Sequence, residues 1–278
     1  MSEIAPAATK APELPLPRSV PALLSFVAGY IDIYTFLALF GLFVAQVTGS
    51  FVTAGAELVS HDVGITGKVI AIVAFLLAAA LTAGLIALAR DRDRPVLPWM
   101  LGFETLLLAA FTVTLFVTAP VAHADDWGAI LAGALGAMAM GAQSALVRLL
   151  MRGIPQTNVM TGNMTQLGIE TTELIIAWRR HVRDRDDLSS EREFLAVRSR
   201  LLVVLSIATG FLLGAAAGAV GYAKAGLAGI PLAVLIVASL RSGRLFASGG
   251  REYPGSDRAR RVGGPPVSRA QRRTKETR

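Results

Sequence analysis

Thr48-Gly49-Ser50 and Thr161-Gly162-Asn163 begin two stretches of this chain that repeat one pattern. In each stretch a second glycine follows six residues after the first glycine, and a glutamate follows eight residues after it: Gly55 and Glu57 in the first copy, Gly168 and Glu170 in the second. A long apolar segment precedes each copy, and a glycine-rich apolar segment follows it. Such repetition indicates an internal duplication. A duplication determines the overall architecture, because the two halves then fold as similar units.

The composition indicates that a lipid bilayer is the solvent for most of this chain. Of the 278 residues, 53% are hydrophobic and only 17% are charged, and the mean hydropathy is +0.55. Six apolar segments reach or approach the roughly 20 residues that are needed to cross a hydrocarbon core. The sequence therefore predicts an all-α integral membrane protein with six transmembrane helices, at about 20–40, 69–89, 97–118, 127–150, 201–222 and 225–240.

The positive charges predict how these helices are oriented, because Lys and Arg concentrate in cytoplasmic loops. If the two Thr-Gly stretches enter the membrane without crossing it, all of the 27 Lys and Arg residues lie on one side except Lys68 and Lys224. If both stretches cross, giving eight helices, the arginines of the 90–94 loop face outward together with Arg148 and Arg152. The six-helix interpretation is preferred, and it places both termini in the cytoplasm.

Three helices per half is an odd number, so the second half must enter the membrane from the opposite face. The predicted fold is a pair of inverted three-helix repeats, residues 20–118 and 127–240, joined by an external loop at 119–126. Each repeat carries a Thr-Gly broken or re-entrant segment, and the two segments approach the membrane centre from opposite sides. Irregular backbone at that depth needs surrounding protein or a wet cavity, and this layout recurs in transporters and channels.

The segments outside the apolar spans are polar. Residues 1–19 form a proline-rich tail, residues 179–200 an arginine-rich cytoplasmic loop, and residues 241–278 a basic tail that is predicted to be disordered. The net charge of +7 raises nucleic acid as a partner, but the excess lies beside apolar spans, which is typical of membrane proteins. With no cysteine and three scattered histidines, no metal site and no cofactor is predicted.

A glycine repeat marks the fifth apolar segment. Gly210, Gly214 and Gly218 recur every four residues and therefore share one helix face. Small residues on one face allow a neighbouring backbone to approach closely. This face is predicted to be a packing surface rather than a ligand groove.

Ionisable residues inside transmembrane helices are the first candidates for a site, because a charge there costs about 2.5–3.5 kcal/mol on insertion scales. Asp32 lies near the middle of the first predicted helix and Glu104 lies inside the third. Asp32 is predicted either to carry a proton or cation or to tie helices together by hydrogen bonds. Glu104 is closer to the cytoplasmic end of its helix, within reach of interfacial water.

The duplicated stretches supply the other candidates. Glycine permits tight turns and close approach of the backbone, and the neighbouring hydroxyl, amide and carboxyl groups suit a small polar solute or ion. The alternative is a structural kink whose glutamates only cap or solvate it. Gln143 lies at roughly the position of Asp32 in the second half. The predicted substrate-binding set is Asp32, Thr48, Gly49, Ser50, Glu57, Glu104, Gln143, Thr161, Gly162, Asn163 and Glu170.

Four motifs in a fixed order resemble one known family, the YoaK-like family of bacterial inner-membrane proteins. They are Gly29-Tyr30-Ile31-Asp32, Phe43-Val44-Ala45-Gln46-Val47-Thr48-Gly49-Ser50, Gly141-Ala142-Gln143 and Thr161-Gly162-Asn163. The resemblance covers about residues 20–240 and implies a multi-spanning inner-membrane protein with a domain of unknown function. The first signature of that family commonly reads Thr-Gly-Asn, where this chain has Ser50.

Together these features predict a transporter or channel for a small polar solute or ion, with a site near the membrane midplane; proton coupling is left open. The second hypothesis is a membrane scaffold or regulatory protein that acts through the basic tail. An intramembrane enzyme is least favoured, because the sequence shows no paired nucleophile and base and no Gly-x-Ser-x-Gly motif. The chain is therefore predicted not to be an enzyme. The lipid bilayer and the solute are the predicted partners, nucleic acid is not, and a homo-oligomer is left open.

Cysteine labelling tests the six-helix topology. Because the chain has no native cysteine, single cysteines at positions 92 and 124 report without background. In intact cells Arg92→Cys should resist membrane-impermeant thiol reagents and Ala124→Cys should react, since position 92 is predicted to be cytoplasmic and position 124 external. Both should react once the membrane is permeabilised. Free labelling at position 92 in intact cells would favour eight helices.

Overall fold

The computed structural model describes residues 19–60, 64–90, 96–184 and 187–242, and over these residues it contains helices and no strands. The predicted tails at 1–19 and 241–278 lie outside the described residues except for Ser19, Arg241 and Ser242. The helices are α1 Ser19–Ala38, α2 Val47–Ser60, α3 Ile65–Arg90, α4 Val96–Thr118, α5 Trp127–Leu150, α6 Met160–Arg183, α7 Leu188–Ala225 and, after a 3-10 turn at Gly226–Gly229, α8 Pro231–Arg241.

Five of these helices, α1, α3, α4, α5 and α7, are long and apolar enough to cross a membrane. They contain the first five predicted transmembrane segments, except that α1 ends at Ala38, two residues before the predicted end of the first segment. Their outward faces remain apolar: on α3, Leu76 and Leu77 are 62% and 64% exposed. Water-soluble proteins rarely expose large contiguous apolar surfaces, whereas lipid favours them. The chain is therefore an all-α membrane protein, as predicted.

The sixth predicted segment, 225–240, folds differently from the other five. It comprises the 3-10 turn and α8, an apolar helix of 11 residues. Pro231 is the first residue of α8, because proline lacks the N–H that would continue a preceding helix but suits the first turn of a new one. Eleven residues at 1.5 Å each extend about 16 Å, roughly half of a hydrocarbon core. Among the described residues only five helices have full spanning length.

The glycine face of α7 packs directly on α1. Its three glycines lie against successive turns of the α1 backbone: Gly210 on Ala22, Gly214 on Phe26 and Gly218 on Tyr30. The order of these contacts makes the two helices parallel. A Cβ atom at any of the three glycines would overlap a carbonyl oxygen of α1, so the close approach requires glycine. The predicted packing role of this face is confirmed.

A second parallel pair, α3 and α5, completes the centre of the protein. Gly141 of α5 lies against the backbone of Phe75. Near the ends of both helices the Arg90 guanidinium donates a hydrogen bond of 2.7 Å to the Leu149 carbonyl oxygen. α4 packs on α5, and α8 packs on α4 and α1. The largest buried apolar side chains between these helices form one continuous core, including Leu24, Tyr34, Phe111, Met140 and Leu146.

The arginine-rich segment 179–200, predicted as a loop, is mostly helical. α6 continues to Arg183 and α7 begins at Leu188. Asp187 caps α7, since its carboxylate accepts hydrogen bonds from the Ser189 hydroxyl at 2.6 Å and from the Ser189 N–H at 2.9 Å. These bonds lower the pKa of Asp187. α7 has 38 residues and extends about 57 Å at 1.5 Å per residue, far more than the thickness of a hydrocarbon core.

Substitution of Gly214 tests the close packing of α1 on α7. Gly214→Ala should lower the thermal unfolding temperature of the detergent-solubilised protein, because the added methyl group displaces the Phe26 backbone and overpacking costs about 1–3 kcal/mol. Gly84→Ala is the matched control, since a Cβ at Gly84 of α3 would meet no atom within 4 Å. That control should be neutral or stabilising, because alanine favours helix more than glycine does. Equal unfolding temperatures for Gly214→Ala and the unmodified protein would contradict this packing.

Candidate functional site

Each Thr-Gly stretch begins a helix that follows a turn. α2 begins one residue before Thr48, and α6 begins one residue before Thr161. A glycine with positive φ lies in each of the preceding turns, Gly41 at 75° and Gly153 at 80°. Glycine adopts this conformation without the steric penalty of a side chain. The duplicated sequence thus produces a similar turn-and-helix arrangement twice. Neither α2 nor α6 is among the five helices of spanning length and hydropathy.

The third residue of each Thr-Gly signature, Ser50 in the first and Asn163 in the second, hydrogen-bonds to the turn that precedes its helix. The Ser50 hydroxyl donates to the Phe43 carbonyl oxygen at 2.8 Å and accepts from the Phe43 N–H at 3.0 Å. The Asn163 amide donates to the Gln156 carbonyl oxygen at 2.7 Å. Both partners lie seven residues upstream. Ser50 therefore makes the same kind of connection as Asn163, with a hydroxyl in place of an amide.

The Asp32 carboxylate holds the first turn, residues 39–46, which precedes α2. One of its oxygens accepts hydrogen bonds from the N–H groups of Val44 and Ala45, each at 2.8 Å, and the other accepts from the Gln46 N–H at 3.1 Å. Asp32 is only 3% exposed. Successive backbone N–H groups form a concave site for an anion, and a negative charge is also favoured at the N-terminal end of α2. The negative charge of Asp32 is thus matched by internal donors.

The second turn, residues 151–159, meets the first turn inside the protein. The Asn158 amide donates to the Ala45 carbonyl oxygen at 3.3 Å. The Ser25 hydroxyl lies 2.8 Å from the carbonyl oxygens of both Thr157 and Ile207, and these two acceptors share its single O–H donor. These contacts connect α1, α7 and both turns in the protein interior.

Gln143 joins this group of polar residues from α5. Its amide nitrogen donates to the Leu24 carbonyl oxygen at 3.0 Å and to the Thr157 hydroxyl at 2.8 Å. Gln143 is fully buried, and its carbonyl oxygen has no hydrogen-bond partner within the described part of the chain. An unsatisfied buried acceptor costs about 1–3 kcal/mol. We call the connected set the polar seam; it consists of Ser25, Asp32, Gln143, Thr157, Asn158 and the backbone of residues 44–46.

The two duplicated glutamates form ion pairs with the long helices that follow them. Glu57 pairs with Lys68 of α3, whose ammonium group also donates to the Phe40 carbonyl oxygen at 3.0 Å. Glu170 pairs with Arg200 of α7 at 3.1 Å. Lys68 is 2% exposed and Glu170 is 4% exposed. Each pair therefore connects a signature helix to its successor.

The remaining predicted residues lie outside the polar seam. Thr48, Thr161 and Gly162 are exposed, and Gly49 packs against the ring of Phe43. Glu104 is fully buried in α4. Of the predicted set, the structure thus brings Asp32 and Gln143 into one hydrogen-bonded arrangement and places Ser50 and Asn163 beside the turns that contribute to it.

Sequence reasoning missed the residues that connect the polar seam. Asn158 carried a weak signal, as a polar residue three positions before Thr161 of the second signature. Outside the polar seam, sequence reasoning also missed Lys68 as the partner of Glu57; its signal was a charge directly before an apolar segment. Ser25 carried none, since a serine in an apolar helix commonly bonds its own backbone.

Asp32→Asn tests how the first turn is held. An amide offers one acceptor oxygen and points an NH2 group at the remaining N–H donors, so at least one hydrogen bond to a charged group, worth about 1.5–3 kcal/mol, is lost. The thermal unfolding temperature should fall, by about 2–4 °C for each kcal/mol. Thr35→Val is the matched control in α1, because its buried hydroxyl bonds only carbonyl oxygens of its own helix, and its effect should be smaller. An unchanged unfolding temperature for Asp32→Asn would contradict this role.

Comparison with known proteins identifies the family. A family model described as a protein of unknown function (DUF1275) matches residues 20–241, which include every residue of the polar seam and nearly all of the chain from α1 to α8. Neither a curated protein nor a solved structure matches. The narrower YoaK-like resemblance stays a prediction. The chain belongs to the DUF1275 family of proteins of unknown function.

Proposed function

We propose that this protein is a bacterial inner-membrane transporter or channel for a small polar solute or ion, and that the polar seam is its site. The observation that carries the proposal is the side-chain carbonyl oxygen of Gln143, which is buried and unpartnered among the described residues; the amide of the same side chain bonds α1 and the second turn. A solute, an ion or a water molecule that donates to this oxygen offsets its desolvation. Polar residues with this placement in a membrane interior are associated with solute pathways.

The packing of the helices supports an inverted repeat for this function. In the proposed repeat, α1 to α4 correspond to α5 to α8. α1 packs on α7 and α5 packs on α3, so the first helix of each half lies along the third helix of the other half, as a two-fold relation requires. The turns before α2 and α6 take corresponding positions in the two halves, and each interrupts the helical structure of its half. Interrupted helices that converge on a central site are a recurring feature of inverted-repeat transporters.

The chemistry of the polar seam favours a neutral solute or a cation over an anion. The N–H groups of residues 44–46 already bind the Asp32 carboxylate, so they are not free to bind a second anion. Their bound carboxylate repels one as well. The group without a partner is a carbonyl oxygen, which accepts hydrogen bonds and coordinates cations.

Flux measurements with purified protein in liposomes test this proposal. Across a panel of small anions, cations and neutral metabolites, the protein should raise the uptake of at least one neutral or cationic solute above that of empty liposomes. Gln143→Met keeps the length of the side chain but removes its amide, and it should reduce that uptake about tenfold or more, the equivalent of about 1.4 kcal/mol. Thr112→Val is the control, because its buried hydroxyl bonds only the Leu108 carbonyl oxygen of α4.

Two results would count against the proposal. Uptake equal to that of empty liposomes for every solute would contradict transport, and equal uptake by Gln143→Met and the unmodified protein would exclude the polar seam as the pathway. Deletion of residues 245–278 should leave uptake unchanged. A deletion that removes a partner protein while no solute is transported would favour the scaffold hypothesis.

A further inference from the structure

α4 contains a carboxyl group that the polar seam does not use. Glu104 is 0% exposed, and neither of its carboxyl oxygens has a hydrogen-bond partner among the described residues. It lies on the face of α4 that packs into the core. The other buried residues of α4 are apolar except for Thr112, whose hydroxyl donates to the Leu108 carbonyl oxygen of its own helix at 2.8 Å. The apolar ones are Val96, Met100, Leu101, Leu107, Leu108, Phe111 and Leu115.

The helices that pack against α4 place no counter-charge beside Glu104. These helices are α3, α5 and α8, and their ionisable side chains all lie near helix ends: Lys68 and Arg90 on α3, Arg148 on α5 and Arg241 on α8. The Arg241 guanidinium lies beside Gly102. None of these basic groups forms an ion pair with Glu104 in the part of the chain that the structure describes.

Asp32 and Glu104 are therefore buried acids of opposite kinds. Asp32 has three N–H donors for a negative charge, whereas Glu104 has none. An ionised carboxylate without partners is far more costly to bury than the neutral acid. A metal ion would require several oxygen ligands, which the apolar residues on this face of α4 do not supply. A single proton satisfies the carboxylate with no further ligand.

We infer that Glu104 is a proton-binding site that couples proton movement to solute movement through the polar seam. The coupling part rests on the proposed function. In the described arrangement Glu104 is the buried, protonated acid. When this face of α4 is exposed to water, the acid releases H⁺ and becomes a carboxylate, and the carboxylate must take up H⁺ again before it is reburied.

One residue of α5, Gly136, lies between this face of α4 and the polar seam. Phe111 lies seven residues, about two helical turns, beyond Glu104 on the same face. The ring of Phe111 and the side chain of Val44 both lie against Gly136 of α5, 3.4 Å and 3.5 Å from the position of a Cβ there. The Val44 N–H in turn binds Asp32. A movement of α4 therefore reaches the first turn through one residue of α5.

Infrared spectroscopy on the full-length protein in liposomes tests the proton site, because a carboxylic acid and a carboxylate have separate C–O stretching bands. At neutral pH the unmodified protein should show a carboxylic-acid band that is absent in Glu104→Gln. This variant resembles the neutral acid in shape and should fold normally, which its thermal unfolding checks. Glu193→Gln is the control, because it removes an exposed carboxylate that is ion-paired with Arg180, and it should retain the band. An identical band in the unmodified protein and in Glu104→Gln overturns the inference.

The coupling is tested with liposomes that contain the pH indicator pyranine, using the same solute panel one member at a time. Solute uptake by the unmodified protein should change the internal pH, and Glu104→Gln should abolish that pH change. Solute uptake with an unaltered pH change in Glu104→Gln overturns the coupling while the proposed transport stands. A Glu104-dependent infrared band with no uptake of any solute supports the proton site and contradicts the transport proposal.

Discussion

The contact between the Asp32 carboxylate and three successive N–H groups is the interaction on which the polar interior depends. A carboxylate buried in a membrane helix must find donors or give up its charge, and the turn at residues 44–46 supplies these donors. The same contact fixes the direction of the turn. With the turn in place, the Ala45 carbonyl oxygen accepts from Asn158, so the two halves of the chain are joined at this point.

The side chains of the two Thr-Gly signatures connect their helices to neighbouring segments and do not form a ring of ligands. Ser50 and Asn163 each bind the backbone seven residues upstream, and Glu57 and Glu170 each pair with a base on the following long helix. Both pairs oppose separation of α2 from α3 and of α6 from α7. The Glu57–Lys68 pair contributes more, because Lys68 is buried whereas the Arg200 side chain is 53% exposed and its pair is screened by solvent. The groups of the proposed solute site lie beside the signatures, on α1, on α5 and in the turns.

Asp32 and Glu104, two buried acids, have different surroundings in the structure, whereas sequence reasoning centred the proposed site mainly on Asp32. Asp32 is surrounded by donors and organises structure, whereas Glu104 has apolar neighbours and no donor among the described residues. The difference follows from where each helix faces. α1 presents Asp32 to a turn with free N–H groups, while Glu104 of α4 lies among mainly apolar side chains and has no hydrogen-bond partner among the described residues. The same carboxyl chemistry thus has internal donors at Asp32 and none at Glu104 among the described residues, which is the basis of the proposed proton site.

The sequence by itself determined the membrane class, the positions of five spanning helices, the glycine face of α7 and the repeated turn-and-helix pattern. These features are local: hydropathy over about 20 residues, spacing along one helix and the need for glycine at a turn. Only the tertiary structure decided which acid has partners and which does not, because the partners are distant in sequence. Ser25 lies 182 residues from Ile207, and Gln143 lies 119 residues from Leu24. No periodicity encodes such pairs; they form when α1 packs on α7 and the two turns meet.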